Sequence, residues 1–195
     1  LFRHSQVTRL VDDANVSVLS NTTNVTLAKF FTPTTTASAS YYIYFNNALY
    51  NPHSGHNSAS GGILSSTGFF ISGDTTNEHF FDDNGEGIIR LYYLQSGARV
   101  YVDTTAGTIN YTTGEVFIES IFITTISDVD GVTSTQVRLT VIPNSKDIVP
   151  VRNQILKLDL TNTTVTGQVD TVAVGDGSAS GTYTTSTSYS TPSGY

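Results

Sequence analysis

The stretch from Ile88 to Ile142 constrains the fold most. Short runs of β-branched and aromatic residues alternate with Gly-bearing turns, a pattern that suits antiparallel strands joined by tight connections. Ile88 to Leu94 and Ala98 to Asp103 flank Gln95-Ser96-Gly97, a short hairpin loop. Thr105-Ala106-Gly107 reads as a turn into a strand over 108–111. Thr112-Thr113-Gly114 reads as a second turn, into one long strand over 115–126. That strand sets Val116, Ile118 and Phe122 against Phe117, Ile121 and Ile123, so both of its faces are expected to be covered, by its own domain or by a partner. Asp128-Val129-Asp130-Gly131 is a further turn. From Gln136 to Ile142 the alternation is clean, with Val137, Leu139 and Val141 on one face, and Pro143 ends the run.

The rest of the chain is read around this region. Val7, Leu10 and Val11 lie at i, i+3 and i+4 and predict a short helix near the start. Strands are expected over 22–31, 40–45 and 69–72, with a loop at 34–40 and a long polar, Gly-rich loop over 46–66 of the kind that is usually functional or interfacial. Asp82 to Gly87 reads as a turn cluster. Strands are also expected over 155–160, which groups Leu156, Leu158 and Leu160, and over 165–174. Gly175 to Tyr195 holds almost only Gly, Ser, Thr, Tyr and Ala and cannot bury a core of its own. The expected organisation is a helix and strand over 1–31 that end an upstream domain, a β-rich assembly domain over 32–174, and a Gly/Ser/Thr/Tyr-rich tail over 175–195. The fold class is mainly β, as antiparallel sheets with long loops and a minor helix at the N-terminal end.

Composition narrows the function classes. The 195 residues include no Cys, which rules out disulfides, thiolate metal sites and cysteine nucleophiles. There is no Met either, and the sequence begins Leu1-Phe2-Arg3, so either a processed chain or, as the favoured reading, a portion of a longer polypeptide is expected. No signal-peptide pattern and no long apolar run are present. The net charge of −7 and the scattered 9 Lys and Arg argue against a nucleic-acid partner, which would need a basic stripe. Abundant Thr and Ser with only 13% charged residues suit an extracellular or virion β-protein kept soluble by hydroxyl groups.

Candidate chemistry is sparse. His53 and His56 are the one close histidine pair, and a metal would need a third ligand such as His79 or Asp74, which the spacing does not support. Asp82, Asn84, Glu86 and Gly87 fit positions 1, 3, 5 and 6 of a calcium loop, but Tyr93 stands where the bidentate Glu belongs, so a polar turn is the expected reading. Asp128 to Gly131 is a similar fragment. Glu115 and Glu119 share one strand face at about 13 Å, too far for paired carboxylates in glycoside hydrolysis. No G-x-S-x-G elbow occurs. The sequons at Asn15, Asn21, Asn24, Asn110 and Asn162 are what so Thr-rich a chain produces by chance. Neither enzyme activity nor a cofactor or small-molecule substrate is expected.

An ordered series of segments resembles a known family. It comprises Leu49-Tyr50-Asn51-Pro52-His53-Ser54-Gly55-His56, then Gly62-Ile63-Leu64-Ser65-Ser66-Thr67-Gly68-Phe69, then Phe81-Asp82-Asp83-Asn84-Gly85 running into Ile89-Arg90-Leu91-Tyr92-Tyr93. Gly107-Thr108-Ile109-Asn110-Tyr111-Thr112-Thr113-Gly114 and Ile148-Val149-Pro150-Val151-Arg152-Asn153-Gln154-Ile155-Leu156 complete it. Together these resemble the C-terminal portion of the baseplate wedge subunit, gene product six, of T-even-like contractile-tailed phages, closest to cyanophage versions, over about 5–170. The resemblance implies a structural, non-enzymatic virion protein that pairs with copies of itself, contacts other wedge and hub proteins and joins wedges into a ring. It implies no nucleic acid, membrane or small-molecule partner. Pro150, Arg152, Asn153, Tyr183 and Tyr189 are the candidate interface residues. The alternative is a carbohydrate-binding or adhesin module on a virion or cell surface, with Tyr41, Tyr42, Tyr44, Tyr92 and Tyr93 supplying the aromatic face, although there is no Trp. A secreted hydrolase would need an acid, base or nucleophile constellation that the sequence does not offer.

Overall fold

A computed structural model describes residues 1–56, 58, 61–128, 132–151 and 155–168, with the backbone of 173–174 and 184–185. Leu1–Leu156 form one compact unit and Lys157–Tyr195 a second. The first unit opens with helix α1 (His4–Asp12), none of whose residues is buried. The N-terminus is tied down by paired backbone bonds between Phe2 and Ile148 (2.9 and 3.0 Å) and by His4 N–H on the Asp147 carboxylate (2.8 Å).

Ten strands follow in this unit. They are β1 (Leu27–Phe31), β2 (Ala39–Tyr44), β3 (Ser65–Ser66), β4 (Phe69–Ile71), β5 (Asp74–Asp83), β6 (Ile88–Gln95), β7 (Ala98–Asn110), β8 (Glu115–Ile121), β9 (Ile123–Ile126) and β10 (Val137–Val141). Seven make a curled half-barrel in the order β2-β8-β7-β6-β5-β4-β9, and three make a smaller sheet, β1-β10-β3. All pairings are antiparallel. The fold is therefore mainly β with one short N-terminal helix, as the patterning predicts. In the second unit β11 (Ala173–Val174) pairs with β12 (Thr184–Thr185).

The core joins residues of both sheets. Phe69, Phe81, Ile89, Val116 and Ile123 are fully buried there, together with Val137, Leu139 and Val141 of β10. The alternation read over Gln136 to Ile142 is thus a one-sided strand whose apolar set faces inward.

Several expectations are corrected. The strand expected over 22–31 starts only at Leu27. The ten-residue β5 was missed, because Asp74-Thr75-Thr76-Asn77-Glu78 carries no apolar alternation, and its last two residues, Asp82 and Asp83, belong to the strand and not to the turn. The chain does not turn at Thr105-Ala106-Gly107. Strand β7 runs unbroken to Asn110, accommodated by register shifts opposite β6. Gly107 marks close approach, since a Cβ there would lie 2.1 Å from the Phe117 carbonyl oxygen. The hairpin before it closes on two residues, Ser96 (φ 50°) and Gly97 (φ 81°), with Gln95 paired to Ala98, as expected of a primed turn.

The run over 115–126 is two strands. It breaks at Phe122, and β8 and β9 lie at opposite sides of the same sheet, which the curl brings within one step of chain. The break changes the parity, so Val116, Ile118 and Ile123 share the core while Phe117 and Ile121 are only half-buried. Within this unit the outer face of β8 is therefore not fully covered. No strand forms over 155–160, where Ile155, Leu158 and Leu160 are exposed. Of the strand expected over 165–174, only Ala173–Val174 is extended among the described residues, and Val165 is exposed.

Candidate interaction surface

The two sheets meet along two seams that differ in kind. At one, β3 is stitched to the half-barrel: the Ser66 hydroxyl accepts from Phe81 N–H (2.8 Å). At the other, the sheets end on β1 and β2. These strands touch where the Phe31 and Tyr41 rings meet at 4.7 Å and where the Tyr41 hydroxyl accepts from Thr34 N–H (2.9 Å). Beyond that point they part around a groove of about 470 Å³, lined by Lys29, Phe30, Phe31, Tyr42, Ile43, Tyr44 and Asn46.

Backbone direction follows from the register. Phe45 N–H bonds to the Gly114 carbonyl, so the backbone groups of Phe45, Ile43 and Tyr41 turn toward β8 and those of Tyr42 and Tyr44 turn away from it. On β10, both backbone groups of Arg138 face Thr67, which turns Val137 and Leu139 toward β1. Phe31 and Lys29 answer them, and Ala28 and Phe30 present their N–H and C=O groups outward. Both edges of the open seam are therefore unpaired among the described residues.

Side chains on these edges are apolar and exposed. Phe30 is 53% exposed, Tyr42 59% and Tyr44 47%. Tyr42 stacks on Phe117 of β8 at 4.4 Å and lies 6.4 Å from Tyr44. Strand β2 carries no charge and no Pro, the usual devices that keep an edge from pairing. Helix α1 adds a second apolar patch, with Leu10 and Val11 exposed.

The charged residues of the half-barrel are used elsewhere. On the outer face of β5–β7, Asp82 is 1% exposed and accepts from Arg90 Nε (2.9 Å), Arg99 Nη1 (2.7 Å) and the Tyr101 hydroxyl (2.9 Å). Arg90 lies over the Tyr101 ring and Arg99 over Tyr92. Burial pushes the Asp82 carboxyl above the usual carboxylate value, against Arg90, Tyr101 and Arg99, which hold it down. Its neighbour Asp83 points the other way. One oxygen takes the N–H groups of Ile63 and Leu64, both at 2.7 Å, and the other takes Gly85 N–H and the Tyr111 hydroxyl. A Cβ at Gly62 would lie 2.0 Å from that carboxylate, so glycine there is what lets the long loop close on Asp83. Burial, with Asp83 second, pushes the Tyr111 hydroxyl far up and keeps it a donor.

These contacts settle what the Asp82 to Gly87 segment does. The two aspartates serve opposite faces of the sheet, Asn84 Oδ1 accepts from Glu86 and Ile88 N–H, and the stretch is the β5–β6 turn. His56 Nδ1 and His53 Nε2 lie 2.9 Å apart, whereas His79 is buried inside β5 with Asp74 at 3.7 Å from Nε2. Among the described residues no three His, Asp or Glu side chains converge as metal ligands would. Glu115 and Glu119 stand on the outer side of β8, beside Phe117 and away from the core.

Of the five candidate interface residues, Pro150 is half-buried beside the Phe2–Ile148 bridge, with Val149 exposed next to it. Arg152, Asn153, Tyr183 and Tyr189 lie outside the described residues. Of the five tyrosines named for an aromatic face, Tyr42 and Tyr44 are exposed, Tyr41 and Tyr93 half-buried and Tyr92 buried. Phe30 was missed, because Lys29 interrupts the apolar alternation of β1; Phe117, expected on a covered second face of its strand, is half-buried there. Compared with protein-family models, curated proteins and solved structures, this chain finds no match.

Proposed function

We propose that this chain is a non-enzymatic structural subunit of a contractile phage tail baseplate, a wedge component of the gene product six type that associates with its own copies and with other wedge and hub proteins in the virion. The ordered segments quoted above suggest the class. The observation that supports assembly as the task is the open seam, where two strand edges unpaired among the described residues and exposed Phe30, Tyr42 and Tyr44 lie together, while the buried Asp82 carboxylate is paired elsewhere with Arg90 and Arg99. Large apolar surface left on a finished fold marks an association site.

Analytical ultracentrifugation of the full chain over a concentration series tests it. Concentration-dependent dimers or larger rings are expected, and a species that stays monomeric at high concentration overturns self-association. The stacked Tyr42–Phe117 pair with Tyr44 beside it favours one rival, a sugar-binding platform. Glycan-array binding by the monomer, lost in Tyr42→Ala, would establish that rival instead.

A further inference from the structure

The open seam has a more specific geometry than an apolar patch. Two strand edges from different sheets face one groove, and each offers backbone donors and acceptors at alternate residues: Ala28 and Phe30 on one side, Tyr42 and Tyr44 on the other. A whole sheet approaching β2 edge-on would meet β1 across the groove. A single extended segment meets no such obstacle and would lie in the groove that both edges line. Roughly four to six residues at about 3.3 Å each span strands of this length.

Side chains set the chemistry of the segment. On the outer side the exposed rings of Phe30 and Tyr42 would flank its alternate residues, and on the inner side Phe31 and Ile43 would. Both favour β-branched or aromatic side chains. Among the described residues that line the groove, Lys29 is the one charged residue, in a chain with 16 acidic and 9 basic side chains. A carboxylate is the complement that this lining lacks.

We propose that the β1/β2 seam receives an extended arm of a partner polypeptide as an added strand, apolar at alternate positions and carrying one Asp or Glu opposite Lys29. The proposal rests on the assembly reading and specifies how one contact of that assembly is made. Strand addition draws affinity from backbone bonds and specificity from alternate side chains, so the two contributions can be separated.

The test selects a random octapeptide display library against the full chain and titrates synthetic copies of the enriched peptides. Enriched sequences are expected to alternate apolar residues and to carry an acid whose preference disappears in Lys29→Glu. Tyr44→Pro and Phe30→Pro each delete an N–H that faces the seam while sparing the bonds to β8 or β10, and each should weaken binding at least tenfold. Tyr44→Ser keeps the N–H and should weaken it by less. Because a proline variant can lose its fold, hydrogen exchange on the unaltered chain gives a second readout: the amides of Phe30, Tyr42 and Tyr44 should gain protection when peptide is bound. No enriched peptide, or binding that leaves those amides unprotected, overturns the proposal. A chain that assembles while its seam amides still exchange would keep the assembly reading and remove this one. A monomer that binds peptide in the seam would do the reverse for self-association.

Discussion

The outer face of β5–β7 and the open seam between β1 and β2 carry opposite kinds of surface. On the first, Asp82 lies under Arg90, Arg99 and Tyr101, and the cationic groups cover aromatic rings. On the second, among the described residues, Lys29 is the one charge lining the groove, aromatic side chains are exposed and backbone groups lack partners. In a lightly charged chain, then, ion pairs are concentrated on one sheet face while rings and backbone groups stay exposed at the seam. Breaking a buried pair leaves an uncompensated charge, whereas trimming an exposed ring removes little that the folded state uses.

The largest effects should come from the satisfied region. Asp83→Ala strands two loop N–H groups, Gly85 N–H and the Tyr111 hydroxyl, and should lower stability by about 4 kcal/mol in urea denaturation. Asp82→Ala should cost about 3 kcal/mol, less because Arg99 is partly exposed and can reach water. A loss below about 1 kcal/mol in both would mean that these carboxylates do not hold the sheet.

His79 sharpens the contrast within the interior. Burial holds its imidazole below the ordinary histidine value, against the opposing pull of Asp74, and Phe69 and Tyr93 are its cross-strand neighbours. The unfolded chain therefore takes up a proton at pH 6.5 that the folded chain refuses, so stability is full above that pH and falls as pH drops toward the folded value. In His79→Phe this part of the acid slope should vanish, as read from denaturation midpoints between about pH 7 and 5. Asp74, itself held low first by its bonds to Asn77, adds loss in the same direction only below its ordinary value of 3.8. An unchanged slope in the variant would show that His79 does not titrate as a buried group.

The smallest stability effects belong to the seam. Tyr42→Ser and Phe30→Ser should shift the urea midpoint by no more than about 0.5 kcal/mol, while concentration-dependent association weakens. If either destabilises the monomer as much as Asp82→Ala does, the two regions are not divided between holding and docking.

The seam and the network were unequally legible. The strand over 40–45 and the inward set of β10 are written in local periodicity, because burial on one face imposes a period that neighbours in sequence must obey, and the 3.6-residue spacing of Val7, Leu10 and Val11 marks the helix although none of its residues is buried. Strand β5 escaped because Asp74 to Glu78 are polar, partly exposed and without apolar alternation. Gly107 was misread because a glycine that admits a turn and one that admits a crossing strand look alike in one dimension. The exposed leucines of 155–160 show the opposite error, since periodicity supplies a face but not a neighbour to bury it.

By itself the sequence determined the class: many strands, short turns, one amphipathic start and no cysteine. The tertiary structure alone decided that β8 and β9 part company at Phe122, that Asp82 and Asp83 serve opposite faces, and that β1 and β2 end their sheets side by side with a groove between them. Side-chain patterns report which face is buried, but strand order and edge pairing depend on hydrogen bonds between residues far apart in the chain, and every residue type offers the same backbone groups for them, proline excepted.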